Sequence, residues 1–564
     1  MNAERLLAHY EQVADAPDAI ARLRRFILDL AVRGKLVPQD ATDEPASELL
    51  KRARKNRSQS SLKESRTDKS ESTEPGHDLP ASWLWVRIGD HLELINGMAF
   101  KPTDWKQAGI KIVRIQNLNR LNAPFNYCDP DSVRDRFLIN DGAFLISWSG
   151  TPGTSFGAFI WERGDAVLNQ HIFRCDFRLQ AFDQLYLRLA INGRLDEMIA
   201  KAHGGVGLQH ITKGKLEALL IALPPLAEQH RIVGKVDELM ALCDRLEAAR
   251  GSREAMRDRL AAASLARLNA PDPETFQADA RFALDALPAL TTRADQIKQV
   301  RQTILNLAMH GKLVLQDASD ESASELLSQI AKEKGRLRRP VTEIDSDREP
   351  YPLPETWKWA ALDQLIVSGP QNGISPKPTS RHDAPKAITL TATTSGAFNP
   401  AHFKLVEGNF PADSDFWLKD GDLLFQRGNT REYVGMAAIY QGQPGTFLFP
   451  DLIMKVRVSD SVSLRFVHFA SISPPARAFL SVNASGAQAT MPKINQSTLV
   501  SLPIPLPPLA EQHRIVAKID ALMALCDRLE ASLTTTAAIR RRLLDALLAE
   551  ALAPVEDREL EAAE

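Results

Sequence analysis

The sequence predicts an α+β protein that is one long unit written twice. Two mixed α/β domains are separated by long helices that pack as an antiparallel coiled coil, in a pseudo-twofold internal repeat. Three observations lead there. Residues 223–248, LPPLAEQHRIVGKVDELMALCDRLEA, return at 506–531 with three changes, Gly234/Ala517, Val236/Ile519 and Glu238/Ala521. FILDLAVRGKLVPQDATDEPASELL from Phe26 matches TILNLAMHGKLVLQDASDESASELL from Thr303, and LPASWLWV from Leu79 matches LPETWKWA from Leu353. The period is far too long for a solenoid.

The elements follow in order. Residues 1–50 form an N-terminal helical segment, in which the stripe Ile27, Leu30, Ala31 stops at Gly34; Ile304, Leu307 and Ala308 stop likewise at Gly311. Both glycines suit left-handed helix ends. Residues 51–78, charged, Ser-rich and without apolar anchors, read as a mobile linker. The first domain spans 79–224, with β-rich runs at 110–115, 143–147, 156–161 and 171–177 broken by Gly and Asp. A central helical region spans 225–335, a second linker 336–352, and the second domain 353–507, where runs at 423–426, 434–440 and 452–458 answer the first set. Asp141-Gly142 and Asp420-Gly421 mark a turn before the corresponding strand in each copy. Residues 508–564 form the C-terminal helical region.

Pro224-Pro225 and Pro507-Pro508 stand where a helix start tolerates a missing N–H. Beyond them Ile232, Val236, Leu239, Cys243 and Leu246 are spaced 4, 3, 4, 3, as are Ile515, Ile519, Leu522, Cys526 and Leu529. This heptad seam wants a partner helix. Residues 226–268 are expected antiparallel to 509–551, with the N-terminal helix joining near the C-terminal end. The second block is nine residues longer than the first, and similarity between the two is nearly lost inside it. Each unit is fixed helix, variable domain, fixed helix.

Hydrophobic content of 44% and charge of 25% are ordinary for a soluble globular protein. No run of about 18 apolar residues suggests a membrane span, and the N-terminus lacks an apolar signal core. Four cysteines without CxxC or metal-ligand spacing fit a reducing compartment, so a cytoplasmic location is expected. The net charge of −2 hides a division: residues 80–222 carry 16 Lys+Arg against 14 Asp+Glu, and 350–505 carry 13 against 11. The variable blocks lean basic and the remainder acidic, which points to a polyanion partner for the blocks.

No catalytic constellation emerges. There is no GxxxxGK[ST] phosphate loop, HExxH or EF-hand, and GGVGLQHITKGK at 204–215 has the glycines without the spacing. His230 and His513 open helices with no second ligand nearby, and read as exposed first-turn residues. Cys243 and Cys526 lie on the apolar seam and read as core. Glu228 and Glu511 suit a helix N-terminus, where negative charge meets the macrodipole. No catalytic, cofactor-binding or metal residue is assigned.

The doubled IALPPLAEQHRIV (221–233) and IPLPPLAEQHRIV (504–516), with AVRGKLVPQ (31–39) and AMHGKLVLQ (308–316), resemble the specificity subunit of type I restriction–modification enzymes over essentially the whole chain. In this chain the GKLV segment also stands before the first domain, a full tandem duplication rather than a start at the first recognition domain. The resemblance implies a non-catalytic subunit of a DNA methyltransferase/restriction complex. Its two target-recognition domains would each read half of a bipartite, asymmetric double-stranded DNA site. The shared helices would set the spacing and dock two methyltransferase subunits, and restriction/translocase subunits would complete the complex. No cofactor is implied in this chain; S-adenosylmethionine belongs to the methyltransferase partner, ATP and Mg to the restriction partner. Two similar, unequal domains on one chain match a two-part target on symmetry grounds as well.

Candidate DNA-contacting residues come from residue chemistry. Arg pairs with guanine and Asn/Gln with adenine, which selects Arg427, Asn429 and Arg431 in the loop 426–433, and Arg114, Gln116, Asn117, Asn169 and Gln170 in the first domain. Trp148, in the aligned loop 147–155, stands where the second copy has Arg427. Lys101, Lys213, Lys377 and Lys493 are candidates for phosphate. The alternative for each is a solvated loop or a strand-end hydrogen bond. Two rival functions make distinct predictions. A self-contained methyltransferase should carry a [DN]PP[YF] tetrapeptide, whereas the Pro-Pro pairs here are LPPL twice and SPPA once. A coiled-coil adaptor that binds only proteins should show no salt-sensitive DNA affinity.

Overall fold

The computed structural model describes residues 15–16, 18–57, 77–150, 156–194, 209–270, 272, 274–287, 291–334, 344, 349–485 and 491–552. The chain divides into two compact units, Met1–Ser252 with Ala537–Glu564, and Arg253–Thr536.

In the first unit, α1 (Ala19–Val32) ends at Gly34, whose φ of 67° is left-handed as expected, and α2 (Ala46–Arg57) follows. The linker expected from residue 51 is corrected at its start, since 51–57 continue α2; residues 58–76 lie outside the described residues. Chain entry and exit of the domain are joined, because β1 (Leu84–Arg87) pairs antiparallel with β12 (Leu220–Leu223). Between them, β2 (Leu92–Asn96), β10 (Ile172–Phe177), β6 (Phe144–Ser147) and β8 (Gly157–Ile160) form an antiparallel sheet in that order. A second sheet runs β4 (Asn126–Cys128), β3 (Ile110–Val113), β9 (Ala166–Leu168), β5 (Leu138–Ile139), with β3 and β9 parallel. The short β7 (Ser149–Gly150) and β11 (Gln209–His210) make one further ladder, and α3 (Gln184–Gly193) packs on β8 and α1.

The second unit repeats the plan after α5 (Phe276–Asp285), α6 (Ala294–Met309) and α7 (Ala323–Lys334). Ladder β13 (Lys358–Ala361) with β21 (Pro503–Leu506) closes the domain. The antiparallel sheet is β14 (Ile366–Asn372), β20 (Ile453–Val458), β17 (Leu423–Gln426), β18 (Ala437–Ile439). The companion sheet is β16 (Phe403–Leu405), β15 (Lys386–Ile388), β19 (Phe447–Leu448), with β15 and β19 parallel as β3 and β9 are. Helix α8 (Leu464–Ile472) packs on β18 and β21, and α9 (Pro474–Val482) packs on α8 and α6. Within the expected linker 336–352, residues 336–343 and 345–348 lie outside the described residues. Its end is packed rather than loose: the Tyr351 hydroxyl donates to the Met309 carbonyl at 3.1 Å and its ring stacks on His310 at 3.9 Å.

Two helices of 44 residues, α4 (Leu226–Asn269) and α10 (Leu509–Leu552), are each roughly 66 Å long at the standard rise. Their first intrahelical bonds run from Gln229 N–H to the Pro225 carbonyl and from Gln512 N–H to the Pro508 carbonyl, so the prolines stand where an N–H is not required. The short helix of the same repeat covers the upstream half of each seam. Ile232, Val236 and Cys243 bury with Ile27 and Ala31 of α1; Ile515, Ile519 and Cys526 bury with Ile304, Leu305 and Ala308 of α6. Arg24 grips Asp244 and Glu247 at 2.6 and 2.8 Å, and Arg301 grips Asp527 and Glu530 at 2.6 and 3.1 Å. In the first unit the end of α10 also lies on the N-terminal segment: Leu544 and Leu547 bury with Ala16 and Ala19, Arg22 pairs with Asp545, and Lys35 Nζ donates to the Leu552 carbonyl. In the second unit Leu265 and Leu268, at the end of α4, bury with Ala283 against Val300 and Leu307 of α6. Each short helix thus receives the start of one long helix and the end of the other.

Candidate nucleic-acid interface

Three repeated motifs converge on one polar node in each copy, which fixes the domain to its helix. Glu228 is fully buried and accepts from Trp83 Nε1 at 2.9 Å and from Gln39 Nε2 at 2.5 Å. Glu511 accepts from Trp357 Nε1 at 2.9 Å and Gln316 Nε2 at 2.6 Å. Burial pushes both carboxyls above their usual pKa, against these hydrogen bonds. Arg231 pairs with Asp43 and Arg514 with Asp320, each through two guanidinium nitrogens. Gln229 accepts from Asp183 N–H and donates to the Ala181 and Pro224 carbonyls. The LAEQHR motif is therefore a joint. His230 is exposed, and its nearest charged neighbour is Asp183 at 3.7 Å.

From that joint the chain builds the same edge twice. Gly97 N–H donates to the Ile172 carbonyl and Met98 N–H to the Leu168 carbonyl; Gly373 N–H donates to Ile453 and Ile374 N–H to Phe449 in the same way. A Cβ on Gly97 would lie 2.2 Å from the Asn169 oxygen, and on Gly373 2.1 Å from the Phe449 oxygen, so only glycine fits this approach. Three residues past Met98 and Ile374 come Lys101 and Lys377, both exposed and both followed by Pro-Thr. The pattern Asn-Gly-x-x-x-Lys-Pro-Thr (96–103 and 372–379) is thus duplicated inside blocks that otherwise diverge. Sequence reasoning selected the two lysines but missed the motif that relates them, which a comparison of block interiors would have found.

The other wall of the edge is the segment after β6 and β17. Trp148 N–H donates to His171 and its carbonyl accepts from Ile211 N–H; Arg427 N–H donates to Leu452 and its carbonyl accepts from Ile494 N–H. Trp148 and Arg427 are therefore true counterparts. The same bonding makes His210 the counterpart of Lys493, because Ser149 pairs with His210 and Gly428 with Lys493. A third equivalent pair is Gln170 and Asp451, in the turns closed by Ile172 N–H on Asn169 and Ile453 N–H on Pro450.

Several candidates have other work. Asn117 is corrected: it is fully buried, its Oδ1 accepts from Arg114 N–H at 3.0 Å and its Nδ2 donates to the Ala123 and Pro124 carbonyls, which leaves nothing for a base. Trp148 is corrected too, as its ring packs against the domain core, stacked on Phe173 at 5.7 Å and tilted on His171 at 5.5 Å. The Lys213 ammonium donates to the Leu94 carbonyl at 2.8 Å, fastening the short helix Lys213–Glu217 to β2, and so is not a free phosphate contact. Asn429 turns inward, donating to Gln426 at 2.6 Å and accepting from Thr430 N–H at 2.7 Å.

Others remain accessible. In the first domain, Arg114 and Asn169 leave the neighbouring ends of parallel β3 and β9, with the Arg114 guanidinium 5.7 Å from the Trp105 ring. Gln116 and Gln170 are exposed beside them, Gln170 Nε2 lying 3.3 Å from His171 Nε2. In the second domain, Arg427 makes one long contact, 3.4 Å to the Asp451 carbonyl, and Lys493 is exposed beside it. Arg431 is exposed but leans the other way, toward the Ser481 carbonyl of α9 at 3.4 Å. Residues 151–155 of the loop 147–155, and 204–208 of the glycine stretch, lie outside the described residues.

Residues 80–253 and 354–538 match the family described as the type I restriction modification DNA specificity domain. The chain is 27% identical over 565 residues to the specificity subunit of the type I restriction enzyme EcoEI of Escherichia coli, covering 94% of each. It is 27% identical over 556 residues to the EcoAI specificity subunit of the same species, covering 94% of this chain and 93% of that one. The crystal structure of an HsdS subunit from Thermoanaerobacter tengcongensis aligns over 85% of this chain and 98% of its own, at 17% identity and a TM-score of 0.39. No helix among the described residues is long and apolar enough to cross a membrane.

Proposed function

We propose, for a chain that belongs to the family of type I restriction–modification specificity subunits and so serves DNA sequence recognition without catalysis of its own, that each domain reads one half of a bipartite, asymmetric double-stranded DNA site. One observation carries this reading. The same edge, with the same glycine approach and the same lysine, is built in both domains, while the residues facing it differ. A constant lysine suits phosphate, which is the same in every sequence; unlike neighbours suit unlike base pairs.

Lys101 and Lys377 serve as phosphate contacts, and Arg114, Gln116, Asn169, Gln170, Arg427 and Lys493 as the nearby polar set. The repeated helices hold the two halves at a set spacing and dock two methyltransferase subunits, which bring S-adenosylmethionine. Restriction/translocase subunits bring ATP and Mg, and the assembly works in the cytoplasm. Mapping methylated positions in a host that expresses this chain with its cognate methyltransferase subunit tests the reading. Two unlike short sequences separated by a fixed spacer are expected. A single contiguous motif, two identical halves, or no methylation would sink it. In the same assay Arg427→Ala should relax one half-site and leave the other intact.

A further inference from the structure

Two domains on one chain offer an internal comparison. Whatever both copies keep serves any DNA, and whatever they change at one geometric position is free to serve one half-site. Three positions on the edge are equivalent by backbone hydrogen bonds and differ in side chain: Trp148/Arg427, His210/Lys493 and Gln170/Asp451. Trp148 is taken up by packing. Asp451, the counterpart of Gln170, is the residue that sequence chemistry alone passes over, because an acid is a poor partner for DNA in general.

Asp451 is an acid among cations. Lys377 stands on the strand-end segment beside it, Arg427 Nη1 lies 3.4 Å from its main-chain oxygen, and Lys493 is on the adjoining bridge. Yet none of the described basic residues forms an ion pair with its carboxylate. One oxygen accepts from the Ser375 hydroxyl, and Ser375 belongs to the duplicated Asn-Gly-x-x-x-Lys-Pro-Thr segment. An unneutralised carboxylate on a basic edge weakens attraction to phosphate, so it does not serve general affinity. An acceptor-only group held by a serine is suited to one base feature, the exocyclic amino group of cytosine in the major groove. Gln170, on the same turn of the first domain, carries both donor and acceptor and suits the N6/N7 edge of adenine.

We infer that Asp451 and Gln170 are paired specificity-determining residues: Asp451 selects a cytosine-bearing base pair in the half-site of the second domain, and Gln170 an adenine-bearing pair in the half-site of the first. This rests on reading each domain as a half-site reader. The test is the methylated motif, and the sequence pool retained on DNA binding, of the complete complex carrying Asp451→Gln or Gln170→Asp. Each exchange should cut discrimination at one base pair of one half-site by about 10- to 100-fold, with D451Q shifting the preference there toward adenine and Q170D toward cytosine. Should D451Q fail to assemble, Asp451→Asn, of equal size, carries the test through loss of the cytosine preference alone. An unchanged motif in assembled D451Q or D451N complexes would overturn the inference, as would equal loss at every position of the half-site, the mark of a merely structural residue. A wild-type complex with no two-part motif would instead overturn the reading beneath it.

Discussion

The indole N–H of Trp83 donates to the buried Glu228 carboxylate at 2.9 Å, and Trp357 donates to Glu511 at the same distance. These residues come from segments 145 and 154 positions apart. Gln39 and Gln316 close the arrangement, since each donates to the carboxylate and accepts a hydroxyl proton, from Ser82 and Thr356. Near-identity of the repeated segments therefore has a local cause: each polar group is the partner of another, so a single change strands its neighbour.

Glu228→Ala should lower the stability of the first unit by about 1–3 kcal/mol, the usual cost of leaving a buried donor without an acceptor. Glu511→Ala should do the same in the second. Urea unfolding of the full chain followed by tryptophan fluorescence measures it; unaltered midpoints for both variants would refute the joint.

His91 makes the first domain sensitive to acid. It is buried, its Nδ1 has no partner among the described residues, and desolvation pulls its pKa from 6.5 to about 4. The neutral ring is favoured in the fold, so its contribution is present above pH 6.5 and is lost as pH falls toward 4. A shift of that size corresponds to about 3 kcal/mol. At the equivalent place the second domain has Leu365, also buried. His91→Leu should therefore flatten the stability of the first unit between pH 7 and 5, as read by thermal melting. Equal acid loss in both proteins would count against it.

Gly34→Ala forces a Cβ to within 2.4 Å of Pro80 at a φ of 67°, and should cost about 1–3 kcal/mol. Gly234→Ala is the control. Gly234 has open space around it, and the second copy already carries Ala517 in that helix. That change should stabilise by about 0.5–1 kcal/mol. Opposite signs in melting temperature are expected; like signs would contradict the geometry.

Lys101→Ala and Lys377→Ala should each weaken DNA binding by the complex to a similar degree for all sequences and reduce the slope of log affinity against log salt by about 0.9. Anisotropy titrations across salt concentrations report both quantities. A change confined to one sequence would make the lysine a base reader instead.

Much of this was legible in the chain. Gly34 and Gly311 end their helices, Ile232, Val236 and Cys243 of one seam and Ile515, Ile519 and Cys526 of the other are buried, and strands at 423–426 and 453–458 fall where β-rich runs stood. What misled was direction. Asn117 and Gln116 are adjacent polar residues in one short helix, and composition cannot tell that one amide faces the interior while the other faces water. Trp148 is selected because it aligns with Arg427, yet its ring folds back and stacks on Phe173. Residue type selects Lys213 and Lys493 alike for phosphate, whereas strand pairing relates Lys493 to His210. Asp451 went unnoticed because its meaning depends on Ser375, 76 positions earlier.

The ladders β1/β12 and β13/β21 bring the first and last strands of each domain side by side. Everything between is a loop hung from a two-strand clasp, and the helix beyond the clasp meets it through the same main-chain contact in both copies, Asp183 N–H on Gln229 and Ser463 N–H on Gln512. That is why nine extra residues fit in the second domain without any change to the joint. It also makes each domain an interchangeable cassette: a chain with residues 84–223 replaced by 358–506 would meet the same tryptophan, glutamate and glutamine at its borders. On the half-site reading proposed above, new recognition arises by exchange of whole cassettes, with no redesign of the frame that carries them.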